Sequence, residues 1–350
     1  MSETKKKKVA SYSDLIASMG LEKSVVSKDL KGKTVLVYGD NRTGKTKELL
    51  KLPNPIYLGW EYGINAIPGI PFERLNKWSK FKKFNTSLLK KTKDFNGEIT
   101  LVFDTIDEAS LKCDEYICQK HDVDTIGDGN GGFGLWKEYS KEFWSEINRL
   151  TGAGFTVAFI AHSGTIVHNK DTDEEYTQIY PGRDGLVDRK RTINPIIDAV
   201  DIIGYLKSNG FDENEKEIPS SAFFVNTKTF KAGTRFDYFP EVMEVWSAEN
   251  LIKGIKDAVE QEEKVTGIES VTFEEQQEVI EEEEMTYDEI LAAIKPIVVA
   301  MKATDRLDEY QEIVSKYLGD DAKVSEAKKS QVEALDMILS ELQELDIEVK

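Results

Sequence analysis

Cysteine is nearly absent: Cys113 and Cys118 are the only two in 350 residues. That excludes a disulfide scaffold and fits a reducing cytoplasm. No apolar run approaches the roughly 18 residues that a membrane-spanning helix needs, so no membrane partner is expected. The opening residues, MSETKKKKVA, carry lysines with no apolar stretch behind them, and a secretory signal is not expected. No internal repeat is visible. Positive charge is also in deficit, with 46 Lys and Arg against 64 Asp and Glu and a net charge of −18. Spread evenly, such a balance argues against a nucleic-acid partner.

The charge is not spread evenly. Residues 1–100 sum to +10, residues 101–250 to −12 and residues 251–350 to −16, so the first 250 are nearly balanced at −2. The densest acidic run is 281–284. An acidic segment attached to a differently charged body is the reading that follows.

Apolar, β-branched runs at 34–38 (TVLVY), 55–60 (PIYLGW), 99–104 (ITLVFD) and 155–161 (FTVAFIA) predict short buried strands. Helical periodicity lies between them, over 45–52, 106–120 and 135–150. Strands alternating with helices predict an α/β fold, a mostly parallel sheet with helices on both faces. From 201 to 246 strand signals continue without clear helices, as a partly antiparallel extension. Residues 257–285 are Glu-rich with few aromatics and read as an acidic, solvated linker. Helical patterns then return: Thr286 and Glu289 form a capping-box pair, Pro296 is expected to kink or split the helix that follows, and Gly319 closes a second helix. The expected organisation is a basic tail with a short helix (1–30), an α/β core (31–256), the linker (257–285) and a small C-terminal all-α module (286–350).

The strongest local signal is Gly39, Asp40, Asn41, Arg42, Thr43, Gly44, Lys45, Thr46, which fits G-x-x-x-x-G-K-[ST] without deviation. It follows an apolar strand and opens a helical stretch, as a phosphate loop must. Backbone N–H groups would cradle phosphates, Lys45 would reach the β- and γ-phosphates, and Thr46 would place its hydroxyl on Mg²⁺. ATP and Mg²⁺ are the expected cofactors. Asp104 closes the strand ITLVFD, where a second Mg²⁺ ligand is expected. Thr105, not a glutamate, follows Asp104, and Asp107 and Glu108 fall later, on the next helix. Glu61, at the end of PIYLGW, is the better candidate for polarising the attacking water. His162 ends FTVAFIA and is placed to sense the γ-phosphate. Cys113, Cys118 and His121 are spaced C-x4-C-x2-H with no fourth ligand evident, so zinc is not expected.

Together these elements resemble the RecA-like P-loop ATPases, and most nearly the core-only RecA-like annealing and recombination ATPases of bacteriophages. The resemblance covers residues 25–250. PIYLGWEYG resembles the segment carrying the catalytic glutamate, LVFDTID the metal strand, and GFGLWKEYSKEFWSEINRL with FTVAFIAH the helix and sensor strand of the phage group. FKAGTRF resembles the basic element that reaches a neighbouring subunit's ATP, which implies Lys231 and Arg235 as trans-acting fingers. The resemblance implies a ring or filament of identical subunits, single-stranded DNA as partner, and the cytoplasm of a bacterial host as location. Loops after the sensor strand would line the DNA path. In residues 163–194 these are Arg183, Arg189, Lys190 and Arg191, beside Tyr176 and Tyr180 but also beside Asp171, Asp173, Glu174 and Glu175. The Gly-rich loop 127–134 and a lysine patch (Lys80, Lys82, Lys83, Lys90, Lys91, Lys93) are further candidates. A ring helicase motor or helicase loader shares the same core. A nucleotide-switched interaction protein, using the helical module to recruit a protein partner, is the alternative of another class.

Overall fold

Apolar segments too short to be helices bury their backbones by pairing with one another. In the computed structural model, which describes residues 24–61, 67–184, 197–280, 285–320 and 322–345, they build a nine-stranded sheet. The first strand and helix, β1 (Thr34–Gly39) and α1 (Lys45–Leu49), flank the phosphate-loop motif. Next come β2 (Pro55–Gly59), β3 (Phe72–Arg74), α2 (Trp78–Lys91), β4 (Thr100–Asp104), α3 (Ile106–His121), α4 (Trp136–Gly152) and β5 (Thr156–Ile160). A two-stranded hairpin, β6 (Ser163–His168) with β7 (Tyr176–Pro181), is separate from the main sheet. The sheet resumes with β8 (Ile202–Lys207), β9 (Ser221–Phe223), β10 (Gly233–Thr234) and β11 (Val242–Met243).

The order is β11-β9-β8-β1-β5-β4-β2-β3, with β10 also on β8. From β3 to β8 every pairing is parallel; β9, β10 and β11 add on antiparallel. β1, β4 and β5 are buried along their whole length, as central parallel strands must be. Because successive side chains point to opposite faces, each strand feeds two cores. Leu36, Tyr38, Phe103 and Phe159 meet Trp78 and Phe81 of α2, Cys113 and Ile117 of α3 and Phe143 of α4. Val35, Val37, Val102 and Ala158 meet Leu49 of α1 and, on α5 (Ala248–Thr266), Leu251 and Ile255. The expected α/β architecture is therefore present, helices on both faces included.

The segment expected as a solvated linker is different. Residues 257–266 complete α5, with Ala258 and Val259 buried. A further helix, α6 (Phe273–Ile280), follows. Residues 24–32 zip onto its leading edge: Lys28 N donates to Val271 O (3.1 Å), Phe273 N to Asp29 Oδ2 (3.1 Å), and Lys31 pairs with Glu274 (2.5 Å). Phe273 fills the space beside Gly32 and Gly154. Glutamates dominate the composition, but a few apolar residues at helix spacing suffice to dock a helix.

The chain divides into two compact units, residues 1–277 and 278–350. In the second, α7 (Tyr287–Ala303), α8 (Leu307–Leu318) and α9 (Val332–Glu344) enclose Ile290, Ile294, Met301, Val314, Leu335 and Ile338. Thr286 and Glu289 form the expected capping box. α7 runs on through Pro296: the buried stripe Ile290, Ile294, Ile297, Met301 spans the proline and outweighs the one intrahelical bond it removes.

Candidate active site

At the end of β1, Gly39 adopts φ 127°, and a Cβ there would lie 2.1 Å from the carbonyl oxygen of Leu206 on β8. Only glycine lets the chain leave the sheet at this point. Gly44 (φ 80°) makes the second turn and delivers the chain into α1. The Thr43 hydroxyl donates to Asp40 O (2.9 Å) inside the loop. Lys45 Nζ donates to the carbonyls of Gly39 (3.1 Å) and Asp40 (2.7 Å). Burial lowers the pKa of Lys45, against the opposing pull of Asp40 and Asp104.

In the sheet β5 lies between β1 and β4, yet α1 leans across it. Thr46 Oγ1 donates to Asp104 Oδ2 at 2.9 Å, and the Tyr57 hydroxyl on β2 approaches the same oxygen at 3.3 Å. Burial raises the pKa of Asp104, against the hydrogen bonds from Thr46 and Tyr57; Glu61 adds repulsion. A buried carboxylate beside a hydroxyl is a hard oxygen donor set of the kind Mg²⁺ takes. The peptide bond between Asp104 and Thr105 is cis.

Glu61 is drawn to β4 by its own N–H and that of Trp60, both donating to Asp104 O (3.3 and 2.9 Å). Its Oε1 accepts from Thr105 Oγ1 (2.9 Å). His162, leaving β5, places Nε2 3.9 Å from the same oxygen. Lys45, Thr46, Glu61, Asp104, Thr105 and His162 thus share the wall of one cavity of about 470 Å³ at the carboxyl ends of β1, β2, β4 and β5.

Beneath His162 sits Asp107, in the first turn of α3 and fully buried. Asp107 Oδ2 accepts from His162 N (2.9 Å) and pairs with His162 Nδ1 (3.2 Å); Oδ1 accepts from Arg183 N (2.7 Å). Burial alone would raise the Asp107 pKa, but these bonds outweigh it and leave the carboxyl below its ordinary value. The bond to Asp107 raises the pKa of His162; burial opposes it, and Glu61 adds to the rise.

Arg183, expected on a DNA path, turns into this centre. Its Nη2 reaches Glu61 Oε1 at 2.5 Å and its Nη1 reaches Glu108 Oε1 at 2.6 Å. Arg189, Lys190 and Arg191 lie outside the described residues. The segment before them is not an open loop but the β6–β7 hairpin, with Asp171, Asp173, Glu174 and Glu175 at its turn.

Lys231 and Arg235 part company. The carbonyl of Lys231 accepts from the hydroxyl of Tyr38, near the phosphate-loop end of β1. Arg235 lies beside the opposite end of the sheet, donating to Asp198 O (3.0 Å) and pairing with Asp201 (3.6 Å) just before β8. The lysine patch is carried by α2 and the turn after it. Lys80 pairs with Glu73 and Lys82 with Glu142, while Lys83, Lys90, Lys91 and Lys93 are exposed. In the Gly-rich loop Phe133 stands 86% exposed. Cys113 and Cys118 are buried on α3, and His121 pairs with Glu138 (2.8 Å).

Asp107, Glu108 and the inward turn of Arg183 escape sequence reasoning. The one available signal is an acid pair in the first turn of α3, directly after the Asp104 strand. It reads as ordinary helix-start chemistry until the tertiary fold puts His162 above it.

Comparison with known proteins agrees with this geometry. A family model described as an AAA domain matches residues 31–236. The SPbeta prophage-derived uncharacterized protein YorG of Bacillus subtilis (strain 168) is 42% identical over 325 residues, covering 92% of this chain and 96% of its own. Among solved structures, an ATPase from the type III secretion system of pathogenic bacteria is 10% identical, with 88% of this chain and 81% of its own covered at a TM-score of 0.33. A KaiC-like protein, PH0186 of Pyrococcus horikoshii OT3, is 12% identical, with 55% and 79% covered at 0.29. No helix among the described residues is long and apolar enough to cross a membrane.

Proposed function

The chain belongs to the AAA-domain family of P-loop ATPases, and from that premise we propose that it hydrolyses ATP with Mg²⁺ as an oligomer that works on single-stranded DNA. The observation carrying the hydrolytic part is the convergence of Thr46, Asp104, Glu61 and His162 on the cavity beside Lys45. Thr46 and Asp104 are the residues that would hold Mg²⁺, which when bound neutralises charge on the β- and γ-phosphate oxygens. Lys45 exchanges its loop carbonyls for those phosphates. Glu61 orients and deprotonates the attacking water. His162 reads the γ-phosphate and passes its presence to Asp107, which it already contacts. Between subunits, Lys231 is the better finger, since Arg235 is engaged by Asp198 and Asp201.

The DNA part rests on the phage-type sequence resemblance, on the prophage origin of the relative from Bacillus subtilis, and on exposed lysines. Lys83, Lys90 and Lys91 on α2 would neutralise backbone phosphates, with Arg189, Lys190 and Arg191 as further contacts. Unit 278–350, at −12, is repelled by phosphate and suits a protein partner. The test is the ATPase rate with and without single-stranded DNA at low salt, beside particle size with ATP. Stimulation with growth in size is expected, and Lys45→Ala abolishes turnover. Hydrolysis unmoved by DNA, with no strand binding, would leave a nucleotide-switched interaction protein. Unwinding in place of annealing would indicate a helicase motor.

A further inference from the structure

Glu61 is held by one oxygen. Oε1 takes Arg183 Nη2 at 2.5 Å and Thr105 Oγ1 at 2.9 Å, and lies 3.9 Å from His162 Nε2. Among the described residues Oε2 takes no hydrogen bond, and Glu61 lines the cavity while Arg183 does not. The other arm of the guanidinium reaches Glu108 (2.6 Å), which also lies outside the cavity wall. The backbone N–H of Arg183 is fixed on the buried Asp107 (2.7 Å), and Gly182 N donates to His162 O (2.7 Å). A rigid floor, a planar fork and an external anchor therefore set the direction of one carboxylate inside the site.

Electrostatics requires such a device. Asp104, Glu61, Asp107 and Glu108 all gather at the ends of β2 and β4 and the start of α3. A freely rotating Glu61 carboxylate would swing away from that of Asp104, to whose carbonyl its own backbone N–H is tied at 3.3 Å. A guanidinium binds two carboxylates in fixed directions, which an ammonium cannot.

We propose that Arg183 is a positioning residue for hydrolysis: anchored on Glu108, it pins Oε1 of Glu61 and so aims Oε2 at the attacking water. The proposal rests on Glu61 as the general base. It also moves Arg183 from the DNA path to the ATPase centre, and makes the root of the β6–β7 hairpin part of the catalytic scaffold.

The test is a double-mutant cycle on the full chain. Steady-state kcat and KM for MgATP are measured for wild type, Arg183→Ala, Arg183→Lys and Glu108→Gln. Single-turnover rates with excess enzyme compare Glu61→Gln with the Glu61→Gln/Arg183→Ala double variant. Binding of a fluorescent ATP analogue and urea midpoints accompany each. Misaiming a catalytic group by about 1 Å loses on the order of 100-fold in rate. A fall in kcat of about 10- to 100-fold is therefore expected for Arg183→Ala, with KM and analogue affinity within about 3-fold. Arg183→Lys and Glu108→Gln should fall between it and wild type. In the Glu61→Gln background the arginine substitution should change the rate by less than about 3-fold, because the group it aims is gone.

Unchanged kcat in Arg183→Ala overturns the proposal, as does a higher KM at constant kcat, which would mean direct nucleotide binding. An equal loss with and without the Glu61 carboxylate overturns it too, since the arginine then acts independently. Should Arg183→Ala not fold, Arg183→Lys and Glu108→Gln decide, and a loss confined to kcat is required of both. If Glu61→Gln hydrolyses ATP at the wild-type rate, the general-base assignment falls and takes this inference with it. An inactive Glu61→Gln beside an undiminished Arg183→Ala removes only the inference.

Discussion

Asp107→Asn is the most informative single change outside the cavity. The carboxylate is 0% exposed and holds three partners: Oδ2 accepts from His162 N and pairs with the ring Nδ1, and Oδ1 accepts from Arg183 N. Asparagine has nearly the same shape but one acceptor oxygen. With that oxygen toward His162, the amide NH₂ faces the N–H of Arg183; turned over, it faces His162. Either way a buried backbone N–H loses its acceptor, at about 1–3 kcal/mol, and the surviving bonds lose a charged acceptor, at roughly 1 kcal/mol more. The total is about 2–4 kcal/mol, or roughly 4–12 °C in Tm at about 2–3 °C per kcal/mol for a unit of this size.

The loss depends on pH with a definite sign. His162 has a raised folded pKa, so its contribution is complete below its unfolded value, about 6.5, and disappears as pH rises through the folded value. Asp107 has a lowered folded pKa, so its contribution is complete above its unfolded value, about 3.9, and disappears as pH falls through the folded value. Both are present near pH 5.5, where the gap between wild type and Asp107→Asn should be widest. It should narrow by pH 8.5. Urea unfolding followed by tryptophan fluorescence at the two pH values measures it. Equal midpoints at pH 5.5, or a gap that widens toward pH 8.5, would refute the reasoning.

Other perturbations test other parts of the structure. Glu61→Gln should lower kcat by at least about 100-fold while leaving nucleotide binding intact, as single-turnover rates and analogue titration will show. Gly39→Ala places a methyl 2.1 Å from Leu206 O at φ 127° and should destabilise the first unit by about 3 kcal/mol or more, read from thermal melts. Gly164→Ala would bring its Cβ to 2.4 Å from Gly182 O, displacing the hairpin root that carries Arg183; kcat should fall with little change in KM. Leu335→Ala removes a fully buried side chain from the three-helix core and should cost that unit about 2–5 kcal/mol, seen as an earlier separate transition by calorimetry.

Much of the fold is legible in the chain because it is local. TVLVY, ITLVFD and FTVAFIA are too apolar and too short to be anything but central strands. The loop from Gly39 to Thr46 declares itself because phosphate binding needs those glycines and that lysine at fixed spacing. Asp104, Glu61 and His162 follow from one rule, that ligands gather at the carboxyl ends of parallel strands. Composition misled where it masked periodicity. In α2 the lysines hide the stripe Trp78, Phe81, Asn85, and in α5 and α6 the glutamates hide Leu251, Ile255 and Phe273.

The sequence by itself determined the phosphate loop, the central strands β1, β2, β4 and β5, the cavity acids and a separate helical unit with its capping box. Each depends on residues within one or two turns or along one strand. The tertiary structure alone decided that Asp107 lies beneath His162, that Arg183 reaches back across 122 residues to Glu61, and that Lys231 and Arg235 sit toward opposite ends of the sheet. Those relations come from strand order and from the path of the hairpin. They are distances between segments remote in sequence, and no spacing within a segment encodes them.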